Sequence, residues 1–179
     1  CYCVWNVGDS MSKLQVETIS HTNNTTAMTI DSSGRVLTPA RPAFQASIAS
    51  NAWGTLNTGD IVPFNDVTNN NNFDIGSNFN TSSYRFTAPI AGKYLFHAII
   101  YSFNSDSVNG FKFWKNGSLL LGSTSGAYEF TSGQSGSVDA TIPITFNANL
   151  SSSDYIDIRA STGSDYYGTL SNFGGFLIG

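Results

Sequence analysis

The chain has 179 residues, of which only 20 are charged, 11% where about 25% is usual for a soluble domain; its net charge is −4. Polarity rests instead on 18 Asn, 25 Ser, 17 Thr and 17 Gly, while two Glu and four Lys are too few to cover helix surfaces. A helical bundle is excluded, a phosphate backbone finds no basic footprint among eight scattered cations, and no apolar run approaches the roughly 20 residues of a membrane span. The 44 Leu, Ile, Val and Phe residues are enough for a folded core.

Residues 1–10, with no basic, apolar leader pattern, read as an extension ahead of Met11-Ser12-Lys13 or as the cut end of something longer. Cys1 and Cys3 stand too close together for an ordinary intrachain disulfide, and no third cysteine exists. They read as an intermolecular bridge or thiol, or as a remnant of processing or cloning. Leu14 to Ile19 alternates as a short strand. Met28-Thr29-Ile30 and Val36-Leu37 flank an Asp31-Ser32-Ser33-Gly34 turn, in which Asp bonds the backbone two residues on and Gly supplies positive φ. So small a sheet is marginal alone, so residues 11–41 read as an attachment segment stabilised by other chains or a neighbouring domain. Pro39 and Pro42 close it as a stiff linker.

From residue 42 to residue 179 short strands alternate with turn signals. Strands are expected at Ala43–Ser47, Ile61–Phe64, Asn72–Ile75, Tyr84–Ala88, Gly92–Ser102, Val108–Lys115, Ser118–Ser123, Tyr128–Ser132, Ser137–Phe146, Tyr155–Ser161 and Phe173–Ile178. Asn116-Gly117 between two apolar runs is the strongest hairpin signal. Many evenly spaced strands with no helical pattern predict an all-β, antiparallel two-sheet jelly-roll sandwich.

Several segments carry a more specific resemblance. Ile61-Val62-Pro63-Phe64-Asn65, then Tyr84-Arg85-Phe86-Thr87-Ala88-Pro89-Ile90-Ala91-Gly92-Lys93-Tyr94-Leu95-Phe96, then Phe113-Trp114-Lys115-Asn116-Gly117, Asp154-Tyr155-Ile156 and Phe173-Gly174-Gly175-Phe176-Leu177-Ile178 follow in order. Together they resemble the globular domain of complement C-one-q, of the tumour-necrosis-factor-like superfamily, over residues 42–179. The family usually has Gly before the late-strand Asp, where this chain has Ser153. The resemblance implies a homotrimer with one sheet packed between subunits, and it assigns Tyr94, Phe96, Phe173 and Phe176 to core or seam. Thr29 to Val36 with its proline linker resembles segments preceding tip domains in bacteriophage fibre proteins, especially of marine phages. The implied setting is a virion surface: a trimeric fibre, tip or decoration protein held to other virion proteins through residues 11–41, with its heads serving host-surface adhesion or reinforcement of the particle. A secreted complement-like recognition or signalling ligand is the alternative.

Catalysis finds no motif: no nucleophile elbow, zinc spacing, phosphate loop or dinucleotide fingerprint occurs, and the chain reads as a non-enzyme without a cofactor. Asp154, Asp157 and Asp165 are weak Ca²⁺ candidates, read otherwise as solvated loop and strand-end residues. His97, within an apolar strand, reads as a structural histidine rather than a metal ligand or base. Loops 102–109, 122–126 and 162–168 mix Ser, Asn, Gly and Tyr, a composition suited to surface recognition. Within the last of these, Asp165-Tyr166-Tyr167 reads either as a place to stack on a sugar or peptide, with a host-surface glycan or protein as partner, or as part of the ordinary polar loops at the ends of a sandwich.

Overall fold

The computed structural model describes residues 16–69, 71–104, 110–120 and 138–179. The chain divides after Arg41 into two compact units. Cys1, Cys3, the expected Tyr128–Ser132 strand and the loop 122–126 lie outside the described residues.

In the first unit, β1 (Thr18–Ser20), β2 (Thr26–Ile30) and β3 (Val36–Leu37) form an antiparallel sheet in that order. The Asp31 carboxylate organises the β2–β3 turn. Its Oδ1 accepts from the Ser33 and Arg35 amides at 2.9 and 3.0 Å, its Oδ2 accepts from Arg35 Nε at 2.7 Å, and Gly34 takes φ 78°. These amide bonds hold the carboxyl below its ordinary range. Ile19, Val36 and Leu37 remain exposed.

The second unit contains β4 (Ala43–Ser47), β5 (Trp53–Leu56), β6 (Phe73–Ile75), β7 (Phe79–Asn80), β8 (Arg85–Thr87), β9 (Gly92–Asn104), β10 (Phe111–Lys115), β11 (Ser118–Leu119), β12 (Val138–Leu150), β13 (Tyr155–Ala160), β14 (Ser164–Tyr167) and β15 (Asn172–Leu177). One five-stranded sheet runs β12-β9-β15-β4-β6 and the other β11-β10-β13-β8-β7; β14 and β5 pair separately. Every pairing in them is antiparallel, and no helix occurs among the described residues. This is the expected jelly-roll sandwich.

Two expected strands differ for identifiable reasons, and one turn forms as expected. Ile61–Phe64 does not form a ladder: it touches β13 through the Ile61–Arg159 bridge and the Val62 amide on the Ile158 carbonyl, and Pro63, with no N–H, stops there. The strand expected to stop at Phe146 runs on to Leu150, because Ala148 and Leu150 keep pointing into the core between solvated Asn147 and Asn149. The Asn116-Gly117 signal is realised as a two-residue turn joining β10 to β11, with both residues at positive φ, 51° and 76°, as a type I′ turn requires.

The core is built around stacked phenylalanines. Phe44 of β4 lies 4.9 Å from Phe79, 4.8 Å from Phe86 and 4.9 Å from Phe173 by ring centroids, and Phe96 and Phe113 join from β9 and β10. At roughly 2 kcal/mol for each fully buried ring, these contacts supply much of the sandwich's hydrophobic stabilisation. Tyr94 is buried with them, its hydroxyl donating to the Ile90 carbonyl at 2.8 Å. Burial pushes that phenol up. Among the described residues the core takes eight Phe and Tyr94, a minority of the chain's 13 Phe, 8 Tyr and 3 Trp. Any interface must be built from what remains. Gly174 and Gly175 fit because β15 crosses β9 too closely for side chains: a Cβ on Gly175 would meet Phe96 at 2.5 Å and one on Gly174 would meet His97 at 2.6 Å.

Candidate functional site

Two surfaces of the second unit carry features that folding alone does not need. The first is the outward face of the β12-β9-β15-β4-β6 sheet. The strand register places Leu95, Phe176, Ala43 and Ile75 side by side across four strands. The next rung along joins Thr145, His97, Gly174, Gln45 and Phe73, and the one after it Pro143, Ile99, Asn172 and Ser47. Phe176, Phe73, Ile75 and Ile99 are each 37–43% exposed, so the first rung is an apolar stripe in water. His97 is half-buried in the middle rung, and desolvation pulls its pKa below 6.5.

Of the four residues assigned to core or seam, Tyr94, Phe96 and Phe173 lie in the core and Phe176 on this face. The strand Tyr94 to Tyr101 alternates between the two: Tyr94, Phe96, Ala98 and Ile100 point inward, and Leu95, His97, Ile99 and Tyr101 outward.

The second surface is formed by β5 and β14, which sequence reasoning did not identify as strands. Tyr167 pairs with Trp53 and Asp165 with Thr55, so these four share one face, while Tyr166 pairs with Gly54 on the other. Tyr166 packs over Gly54 where a Cβ would collide with its ring, and it lies against the core. Thus Asp165 and Tyr167 stay on the accessible face and Tyr166 becomes a packing residue.

Two further aromatics join Tyr167. The Trp53 ring meets it edge-on at 5.0 Å and Tyr101 at 5.9 Å, and Tyr101 and Tyr167 are 6.3 Å apart. Buried hydroxyls hold the trio. Ser171 Oγ accepts from the Tyr101 amide at 3.1 Å and donates to the Tyr167 carbonyl at 2.8 Å, and Ser102 Oγ donates to the Asp165 carbonyl at 2.6 Å. Beside the rings, Thr169 Oγ1 donates to Asn51 Oδ1 at 2.8 Å. Trp53 was not singled out from the sequence: its neighbours Asn51, Ala52 and Gly54 give no strand pattern.

The three aspartates read as weak Ca²⁺ candidates are committed to different tasks. Asp154 accepts from Lys115 Nζ at 2.7 Å, Asn116 Nδ2 at 2.6 Å and the Ser151 amide at 2.7 Å, which lowers its pKa to about 2. Asp157 is not solvated. It is fully buried, bonded to Arg85 Nε at 2.9 Å and Arg159 Nε at 2.8 Å, under a lid in which Arg159 stacks on Trp114 and Arg85 on Tyr155, each at 4.5 Å. Asp165 lies on β14. Among the described residues no three His, Cys, Asp or Glu side chains come together as a metal site.

No family model matches the chain, and no curated protein matches its sequence. Solved structures do. The globular domain of zebrafish complement 1qA protein superposes with a TM-score of 0.57 at 19% identity, over 78% of this chain and 98% of that one. The Eiger tumour necrosis factor of S. frugiperda superposes with a TM-score of 0.53 at 11% identity, over 78% and 94%. The chain therefore has the jelly-roll fold shared by the complement C-one-q globular domain and tumour necrosis factor.

Proposed function

We propose that the chain is a non-enzymatic structural protein of a bacteriophage particle, a homotrimeric fibre tip or decoration protein whose jelly-roll heads face the host surface. The observation that carries the trimer is the apolar stripe of Leu95, Phe176, Ala43 and Ile75 on an otherwise complete sandwich. A second sheet already covers the inner face, so among the described residues of the sandwich nothing covers the stripe, and association with copies of the chain removes it from water. The virion setting is supported by the Thr29 to Val36 motif with its proline linker, and by a chain that is rich in Asn, Ser, Thr and Gly. The exposed Ile19, Val36 and Leu37 of the small sheet suit attachment to other virion proteins. Three heads in one assembly convert weak single contacts into avidity.

Sedimentation equilibrium at micromolar protein is expected to give three times the chain mass, and Phe176→Asp to give the folded monomer by placing a charge in the seam. A wild-type monomer overturns the trimer. Peptides of this chain in purified virions test the setting.

A further inference from the structure

The Trp53, Tyr101 and Tyr167 cluster is more ordered than an ordinary loop end requires. Trp53 and Tyr167 are a cross-strand pair, and the buried Ser171 hydroxyl ties the backbones of Tyr101 and Tyr167 together. The rings thus hold their mutual orientation before any ligand arrives, which lowers the entropy of binding. Even so, 47% of Trp53 remains in solvent. Rigid, exposed aromatics are common anchors of recognition surfaces.

The surroundings select the chemistry. Thr169 donates to the Asn51 side-chain oxygen, so the remaining polar group of that side chain is its N–H donor, and Asp165 stands on the same face as Tyr167. The half-exposed Trp53 ring, with Tyr167 edge-on to it and an amide donor and a carboxylate in the same surface, matches a pyranose ring. The weakly positive C–H edges of the sugar lie on the negative π face, and its hydroxyls both give and take hydrogen bonds. The carboxylate disfavours sialylated and uronic sugars. We propose that Trp53, Tyr101 and Tyr167, with Asn51, Thr169 and Asp165, form a binding platform for a neutral hexopyranose within each protomer. This names a ligand class for the proposed adhesive head and takes its biological meaning from that reading, although the platform itself lies within one chain.

The test is titration of the intact protein with methyl glycosides of glucose, galactose, mannose and N-acetylglucosamine and their short oligomers, with sialyllactose as the anionic probe. Binding is followed by calorimetry and saturation-transfer NMR. At least one neutral sugar is expected to saturate the protein, with sialyllactose weaker and Trp53→Ala weakening binding about tenfold or more at an unchanged melting temperature. Should Trp53→Ala fail to fold, Trp53→Phe and Asn51→Ala serve in its place, each with a several-fold loss. Absence of saturation by every neutral sugar overturns the platform, as does undiminished binding by the folded variants or preference for sialyllactose. The two proposals fail separately: a monomer that binds sugar through Trp53 keeps the platform and sinks the trimer, and a trimer blind to every neutral sugar does the reverse.

Discussion

Ser153 occupies the left-handed region, with φ 74°, in the turn that leads into β13. Its amide donates to the Ala88 carbonyl at 2.8 Å, and the neighbouring Ser152 hydroxyl donates to the Pro89 carbonyl at 3.0 Å, so the turn is pinned against the segment that precedes β9. A side chain in that conformation costs on the order of 1 kcal/mol, because Cβ crowds the following carbonyl. The related domains' preference for glycine at this point, visible in the sequence only as a departure, has its reason in this backbone angle. Ser153→Gly should stabilise the sandwich by about 0.5–1 kcal/mol, after allowing for the greater freedom of glycine in the unfolded chain, and urea unfolding measures it. The opposite lesson comes from Asp157. An aspartate in a Tyr-x-Asp-x-Arg alternation reads as solvent-facing, and it does point away from the core, but two arginines and Trp114 close over it. Arg85 is 72 residues away in the chain, and that long-range partner could not be read from local pattern.

At the scale of elements, strands that pack strong apolar alternation against the core were legible, and so was the Asn116-Gly117 turn. The elements missed from sequence are β5, β7 and β14, which are four residues or shorter and contain Gly54, Asn80 and Ser164 where β-branched residues would have signalled a strand. Their pairing is dictated by tertiary position rather than by propensity. This is why two of the platform's three aromatics escape the sequence: Tyr167 and Asp165 stand out from their loop composition, whereas Trp53 and Tyr101 reach them only through β5 and β9. The hairpin of β10 and β11 is also tied to a distant loop, since Asp154 bonds both Lys115 and Asn116 at its corner. Lys115 and Asn116 hold the Asp154 carboxyl at about 2, below the 3.8 of an unperturbed aspartate. With the folded pKa depressed, its contribution to stability is complete above pH 3.8 and is lost as pH falls from there through about 2. Acid unfolding followed by circular dichroism should therefore show a shallower loss over that range in Asp154→Asn, together with lower stability at neutral pH.

For the whole molecule, His97 makes the proposed assembly sensitive to acid. The histidine lies on the outward face between Thr145 of β12 and Gly174 of β15, and Lys93, further along β9, is the cationic residue on the same side of that strand. Desolvation lowers its pKa from 6.5, so the unfolded chain takes up the proton at higher pH than the folded one. The folded state is thereby favoured above pH 6.5 and weakened as pH falls below it. Burial of the ring between subunits steepens that dependence. Sedimentation across the acid range should show trimer dissociating on acidification, with His97→Gln holding together at pH values where the wild type separates; an identical profile for both removes His97 as the cause.

β15 lies between β9 and β4 in the same sheet, with Phe173 at the centre of the phenylalanine cluster. The strand nearest the beginning of the sandwich therefore waits for the one nearest its end. During translation, at roughly 5–20 residues per second, the sheet has a gap at its middle until the ribosome has released the chain through Leu177, and both lips of that gap are unpaired backbone. Stretches already synthesised can form the β9–β12 ladder, but they cannot bury Phe44 against Phe173. Completion of this head thus waits for its own last strand, and the interval before it is when neighbouring nascent chains are most exposed to pairing with one another.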